Sequence, residues 1–213
     1  WGWGPAFLSF IGRRRWRRWP SAEPRQAVNL LFAFAVPYVW LANEQQRKLG
    51  LHVLVSDIQR IPPGSVDPTA KNYHWNDMTM ALLGALDAGA DSVLLVDQAG
   101  NVVEGPGFNV FCVSQGVLVT PSSGMLEGIS RRTVIEMAQT LELPVQLRAL
   151  PAQELRQSQE VFLSTSGGGV LPVTRVDDQV IGTGEPGPVT RRMVETYWAW
   201  HRDPRFISAI DYG

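Results

Sequence analysis

Three stretches of this sequence hold residue types able to do chemistry. The first is Arg60-Ile-Pro-Pro-Gly-Ser-Val-Asp-Pro-Thr-Ala-Lys71. Pro62, Pro63 and Pro68 lock φ and remove N–H donors, so the segment is a turn and neither a helix interior nor a central strand. It delivers one lysine to a fixed place. A lysine amine whose pKa is lowered by burial is neutral and forms Schiff bases with carbonyls. The plainer alternative is a solvated lysine at a helix start. The second stretch is Leu126-Glu-Gly-Ile-Ser130-Arg, which runs into a helix with Val134, Ile135, Ala138 and Leu141 on one face and Ser130 as its expected N-cap. Such a start aims N–H groups and a positive dipole end at one spot, which suits a phosphate, although most capped helices bind nothing. The third is Ser164-Thr-Ser-Gly-Gly-Gly169. Its hydroxyls can donate to an anion and its glycines allow close backbone approach, or it is an ordinary turn.

The elements that must position these groups follow from periodicity. Val28–Val36 and Leu51–Ser56 read as buried strands, joined by polar Asn43 to Lys48. A helix after Tyr73 carries Trp75, Met78, Leu82, Ala85 and Leu86 on one face. Strands at 92–97 and 102–104 form a hairpin over Gln98–Asn101, and strands at 108–113 and 117–120 form another over Gln115-Gly116. Further strands are expected at 145–150, 160–164 and 170–176, and a last helix carries Val189, Met193 and Tyr197. Together they predict a mixed α/β domain with a largely antiparallel, barrel-like sheet and flanking helices.

The bulk properties narrow the function. With 213 residues, 45% of them apolar, the chain can bury a sizeable core. A net charge of −1 provides no global field to recruit nucleic acid or membrane, and neither partner is expected. The single Cys112 sits in an apolar run, cannot form an internal disulfide, and suits a reducing, cytoplasmic compartment. No apolar run reaches the ~20 residues of a membrane span. The Arg/Trp-rich segment 1–27 differs from the rest and reads as an atypical terminus or a piece of a longer protein. A phosphate or lipid contact by it finds no supporting basic face downstream.

The order of the chemical residues is a lysine after a Pro-rich turn, a glutamate in Glu104-Gly-x-Gly-Phe-Asn109, a Leu-x-Gly-Ile-Ser-Arg helix start, then a hydroxyl-glycine loop. This order resembles the class IV aminotransferases, the fold type IV enzymes that use pyridoxal 5'-phosphate (PLP). The resemblance runs from about Val28 to the C-terminus, so residues 28–213 are expected to form that family's PLP-binding large domain. Pro37-Tyr-Val-Trp40, Pro62-Pro-Gly-Ser-Val-Asp-Pro-Thr-Ala-Lys-Asn72, Trp75, Thr196-Tyr-Trp-Ala-Trp-His and Ile210-Asp-Tyr212 look most like the (R)-selective amine transaminases, with branched-chain aminotransferases close behind.

The resemblance implies roles. Lys71 is the Schiff-base lysine and the general acid/base. Glu104 lies beside the pyridine nitrogen and keeps it protonated, Leu126 packs on the ring face, and Ile129, Ser130 and Ser166 hold the phosphate. Asn109 fixes the Glu104 loop, and Trp75 and Gly167 line the substrate side. No metal is expected. The implied partners are an amine or amino acid and a keto acid, in a homodimer. Complete members carry a small N-terminal domain that supplies a phosphate-binding arginine, and the segment before Val28 is too short for it. The alternatives are a PLP-dependent lyase on the same scaffold and a truncated, non-catalytic remnant.

Overall fold

The computed structural model describes residues 37–208 and the backbone of two strands before them, and the chain divides into two compact units, Trp1–Trp40 and Leu41–Gly213. In the first unit, β1 (Phe7–Gly12) pairs antiparallel with β2 (Leu31–Val36). The other residues of the Arg/Trp-rich start, and Ile210-Asp-Tyr212, lie outside the described residues.

The second unit opens with α1 (Glu44–Leu49), where a plain polar connector is expected. Asn43 and Gln46 explain it: each side chain accepts from the other's backbone N–H, at 2.9 and 2.8 Å, a capping box that nucleates one and a half turns. Gly50 ends the helix at φ +94°, where a Cβ would strike Thr174. Then come β3 (Leu51–Gln59), α2 (Asn76–Asp87), β4 (Ser92–Val96), β5 (Asn101–Glu104), β6 (Asn109–Ser114), β7 (Val117–Thr120) and α3 (Ile129–Thr140). The expected strand at 145–150 is two, β8 (Val145–Leu147) and β9 (Leu150–Pro151), and a short α4 (Ala152–Arg156) follows. β10 (Glu160–Thr165), β11 (Gly169–Val176), β12 (Gln179–Val180) and α5 (Pro188–Trp200) complete the chain.

The ten strands β3–β12 form one curled, open sheet in the order β8-β7-β6-β10-β11-β3-β4-β5-β9, with β12 on β11. Most ladders are antiparallel, as expected, but β7–β8, β11–β3 and β3–β4 are parallel. Alternation along the strands divides the core. Val110 and Cys112 of β6 and Val161 and Leu163 of β10 point to one side, with Val53, Leu94 and Leu171. Phe111 and Val113 of β6 and Phe162 of β10 point to the other, against Val134, Met137 and Ala138 of α3 and Met193 of α5. Phe111 and Phe162 are cross-strand partners whose rings stack at 5.1 Å. Fully burying each such side chain stabilises the fold by roughly 1.5–3 kcal/mol. Burial also pushes the Cys112 thiol up to about 11, so it is an inert core residue as expected. On α2 the buried residues are Met78, Ala81 and Ala85, packed on Val93 and Leu95, while the expected core position Leu86 is exposed.

Candidate functional site

The site grows from Arg60, one residue beyond β3. Its guanidinium is buried between two carboxylates: Nε donates to Glu104 Oε1 at 3.1 Å and Nη1 to Asp77 Oδ2 at 2.7 Å. Nη1 also reaches the His74 carbonyl at 3.4 Å, and Ile61 N–H donates to Asp77 Oδ2 at 2.9 Å. The two ends of the proline loop, Arg60-Ile61 and His74–Asp77, are therefore tied together, and the tie is itself bonded to Glu104. Lys71 rides on this closed loop, solvent-exposed, with no hydrogen bond or ion pair to any described residue.

Glu104 ends β5 and is 4% exposed. Its second oxygen, Oε2, accepts from Leu126 N–H at 3.0 Å. Burial pushes the Glu104 carboxyl above the usual carboxylate range, while the Leu126 N–H and the Arg60 charge pull it back. Two donors leave lone pairs on both oxygens, so the carboxylate can still accept from a third. Asn109 Nδ2 donates to the Leu126 carbonyl at 2.8 Å, and Gly128 lies so close to Asn109 Oδ1 that a Cβ would collide. Asn109 thus fixes the Leu126–Gly128 segment that holds Glu104, and not the Glu104 loop directly.

That segment leads straight into α3. The expectation of Ser130 as N-cap is corrected: the helix begins at Ile129, the cap is Gly128, and no side chain caps it. Ser130 is the second helical residue. The reason is steric, because only glycine fits the cap position beside Asn109. The N–H groups of Ile129 and Ser130 consequently meet no described acceptor. The Ile129 side chain is exposed, and Ser130 is buried with Oγ 3.3 Å from Tyr197 Oη. The Tyr197 ring lies against Gly169, which sits at φ +71° and has no space for a Cβ. Tyr197 therefore brings the start of α3 and the Ser164–Gly169 loop to one corner. In that loop Ser164 Oγ is buried without a described partner, Ser166 is exposed, and Gly167 is buried.

Trp75 precedes α2 as its N-cap residue, not on the core face expected from periodicity. Its ring, 39% exposed, and Leu41, 51% exposed, approach Gly107, each within 4 Å of where a Cβ would stand. The Gly107 carbonyl accepts from Thr165 Oγ1 at 2.8 Å, and Leu41 N–H donates to the Gly167 carbonyl at 2.8 Å. The two expected substrate-side residues, Trp75 and Gly167, are thus bridged by Leu41 and Thr165.

Comparison with known proteins places the chain. A family model described as amino-transferase class IV matches residues 13–176. The chain belongs to the class IV aminotransferases. A curated aminotransferase of Thermotoga maritima, named "Probable branched-chain-amino-acid aminotransferase", is 39% identical over 157 residues, which is 73% of this chain and 57% of that protein. The branched-chain aminotransferase of Escherichia coli superposes with a TM-score of 0.79 at 28% identity, covering 83% of this chain and 59% of that one. The T.th. branched-chain amino acid aminotransferase complexed with N-(5'-phosphopyridoxyl)-L-glutamate superposes with a TM-score of 0.71 at 34% identity, covering 75% and 55%. This chain therefore spans a little over half the length of those relatives. The curled sheet with flanking helices is the fold type IV architecture.

Four residues of this candidate site receive no role from the sequence: Arg60, Asp77, Leu41 and Tyr197. Arg60 and Asp77 flank the proline turn at its two ends, and a charge pair bracketing a loop is a signal that was available. Tyr197 reads as one apolar position of the last helix and Leu41 stands in no predicted element, and only the tertiary structure shows what they touch.

Proposed function

We propose that this aminotransferase chain binds pyridoxal phosphate and moves an amino group between an amino acid or amine and a keto acid, with Lys71 as the reacting lysine. The observation that carries the proposal is the buried Lys-loop–Arg60–Glu104–Leu126 connection, which couples the lysine loop to a carboxylate with lone pairs to spare. The chain's groups fit the cofactor in two further respects. Uncapped N–H groups at Ile129 and Ser130 and an orphaned buried hydroxyl at Ser164 suit a phosphate. The T.th. relative is complexed with a phosphopyridoxyl compound, which supports the same cofactor here.

Bound PLP supplies a carbonyl for the lysine and a ring that draws electrons from the substrate α-carbon. The remaining work belongs to the chain. Glu104, held from both sides, accepts a hydrogen bond from the protonated ring nitrogen and keeps the proton there. Leu126, half-buried, covers the ring face. Ile129 and Ser130 donate to the phosphate through backbone N–H and hydroxyl, and Ser166 donates from the facing loop. Lys71 Nζ would take the α-proton and return it two atoms along, to the cofactor carbon beyond the transferred nitrogen, a general acid/base transfer for which an exposed, long side chain has the reach. Trp75, Leu41 and Gly167 give the substrate an apolar wall, which favours a branched-chain or other apolar side chain, in line with the names of the relatives. The proposal includes residues 28–213 as the cofactor-binding domain and the homodimer usual in the family.

Absorbance of the purified chain with PLP tests it, with Lys71→Ala and borohydride reduction as controls. A visible band that needs Lys71, and that reduction converts to a covalent adduct, is expected. A folded wild-type chain that develops no such band would overturn the proposal. Branched-chain L-amino acids and (R)-amines against keto acids then sort the substrates.

A further inference from the structure

We propose that Tyr197 is a positioning residue for the phosphate end of the site, acting through Ser130; this rests on the cofactor-binding reading above. Tyr197 reads from sequence as one apolar position of the last helix. Its ring behaves that way, being 6% exposed and packed on the α3–α5 core cluster. Its hydroxyl does not. Tyr197 Oη lies 3.3 Å from Ser130 Oγ, and both residues are buried.

The ring is held on several sides. Gly169 at φ +71° presents its backbone to the ring edge with no Cβ between them. Trp198 meets the ring edge-on at 5.5 Å between centroids, and His201 lies tilted at 4.6 Å while its Nδ1 contacts the Tyr197 carbonyl at 2.8 Å. A phenol clamped in this way has one place for its hydroxyl, over Ser130.

The consequence for Ser130 follows from hydroxyl chemistry. A serine hydroxyl has one proton and two lone pairs, and its proton turns to suit its neighbours. A tyrosine O–H that donates into a Ser130 lone pair leaves the Ser130 proton to point elsewhere. The nearest chemistry that needs it is an anion at the uncapped start of α3, where the Ile129 and Ser130 N–H groups already point. The two hydroxyls then form a chain, Tyr197 O–H to Ser130 Oγ and Ser130 O–H to phosphate oxygen, in which each bond polarises the next. At 3.3 Å the first link is long for an O–H···O bond, as suits a contact that shortens when the serine proton is drawn to an anion. Because the same ring rests on Gly169, the phenol also sets the spacing between the α3 start and the loop that carries Ser166.

The test compares PLP with pyridoxal, which lacks the phosphate. Dissociation constants are measured by equilibrium dialysis on the full chain for wild type, Tyr197→Phe, Ser130→Ala and the double variant. Tyr197→Phe keeps the ring and removes one oxygen. It should weaken PLP roughly 3- to 10-fold, the worth of one neutral hydrogen bond, and leave pyridoxal unchanged. The double variant should bind PLP no worse than Ser130→Ala, because Tyr197 acts only through that hydroxyl. Retained discrimination in Tyr197→Phe, additive losses, or an equal loss for pyridoxal each overturns the role. A folded wild type that does not prefer PLP over pyridoxal overturns the phosphate site itself, and the role of Tyr197 falls with it. Melting temperatures of the four cofactor-free proteins separate a packing defect from a binding one.

Discussion

Replacing Arg60 with Met is the sharpest test of the site's internal logic. The substitution keeps volume and removes the charge shared by Glu104 and Asp77, whose side chains are 6% and 8% exposed. Breaking a buried ion pair by deleting one partner costs about 3–5 kcal/mol. Two surviving donors, Leu126 N–H on Glu104 and Ile61 N–H on Asp77, put the expected loss at the lower end, about 3 kcal/mol. For a domain of this size that corresponds to a fall in Tm of roughly 6–12 °C. The pH dependence sharpens the test. Burial already holds the Glu104 carboxyl above the usual range, and Arg60 opposes that shift, so its loss lets the carboxyl rise further. A folded-state carboxyl pKa above the unfolded value means that the folded chain keeps a proton the unfolded chain releases. Stability is then lost as pH rises from the ordinary carboxylate value through the folded one. The gap between variant and wild type should open as pH rises through the wild type's own raised Glu104 value and narrow below it, since the unfolded carboxyl is common to both. Urea unfolding at several pH values, followed by circular dichroism, measures it. A loss under about 1 kcal/mol at neutral pH, the size of an exposed pair, would refute the burial reasoning, and so would a gap that ignores pH. Adding Asp77→Asn to the variant should recover part of the loss.

Gly105→Ala should destabilise the chain by roughly 1–3 kcal/mol in the same assay, because the new Cβ would run into the Phe108 ring and the Val93 carbonyl oxygen. Glu160→Ala removes the carboxylate that accepts from Val189 N–H at 3.1 Å and Thr190 N–H at 2.7 Å at the start of α5; a loss of about 1–2 kcal/mol, with lower hydrogen-exchange protection in that helix, is expected. Arg148 grips Glu154 through two bonds of 2.8 and 2.6 Å and holds its carboxyl below the usual range. That pair's contribution is present above the ordinary carboxylate pKa and lost as pH falls through the depressed one. Its partial exposure limits it to under about 1 kcal/mol in a double-mutant cycle at neutral pH.

The strands were legible because both faces of this sheet are covered, which puts the consecutive apolar residues Val110–Val113 at the centre of β6 and Val161–Leu163 at the centre of β10. The helix after Tyr73 was legible from its period, but its register was not: Trp75 sits at the cap and Leu86 is exposed, since small Ala81 and Ala85 let the helix lie close on β4. The cap of α3 was misread because serine is the commoner cap by propensity, and the contact of Gly128 with Asn109 is a tertiary fact invisible to local rules. Parallel pairing of β3 with β4 and β11 was equally hidden, because ladder direction follows from how distant strands return and not from composition. The ordering of Lys71, Glu104, Ser130 and Ser166 was readable as motif. Arg60 opens the lysine stretch and Tyr197 lies in the aromatic tail, but no motif shows that they tie those groups to one another.

These ties share a short segment. Leu126 N–H holds Glu104, the Leu126 carbonyl is held by Asn109, Gly128 packs against the same asparagine, and Ser130 meets Tyr197. Five residues therefore connect the carboxylate end of the site to its hydroxyl end, through a tight turn closed by Gly128 N–H on the Leu126 carbonyl at 2.8 Å. A ligand that presents a cationic ring nitrogen at one end and an anion at the other is measured against a spacing that the backbone from Leu126 to Ser130 fixes. Pyridoxal phosphate is such a ligand. On the proposed function the lysine would need no comparable rigidity, since a long side chain on a loop closed by Arg60 and Asp77 has the reach to meet the carbonyl of a seated ring. On the proposed reading the labour divides: buried, multiply bonded groups set where the ring lies, and the exposed Lys71 amine does the moving.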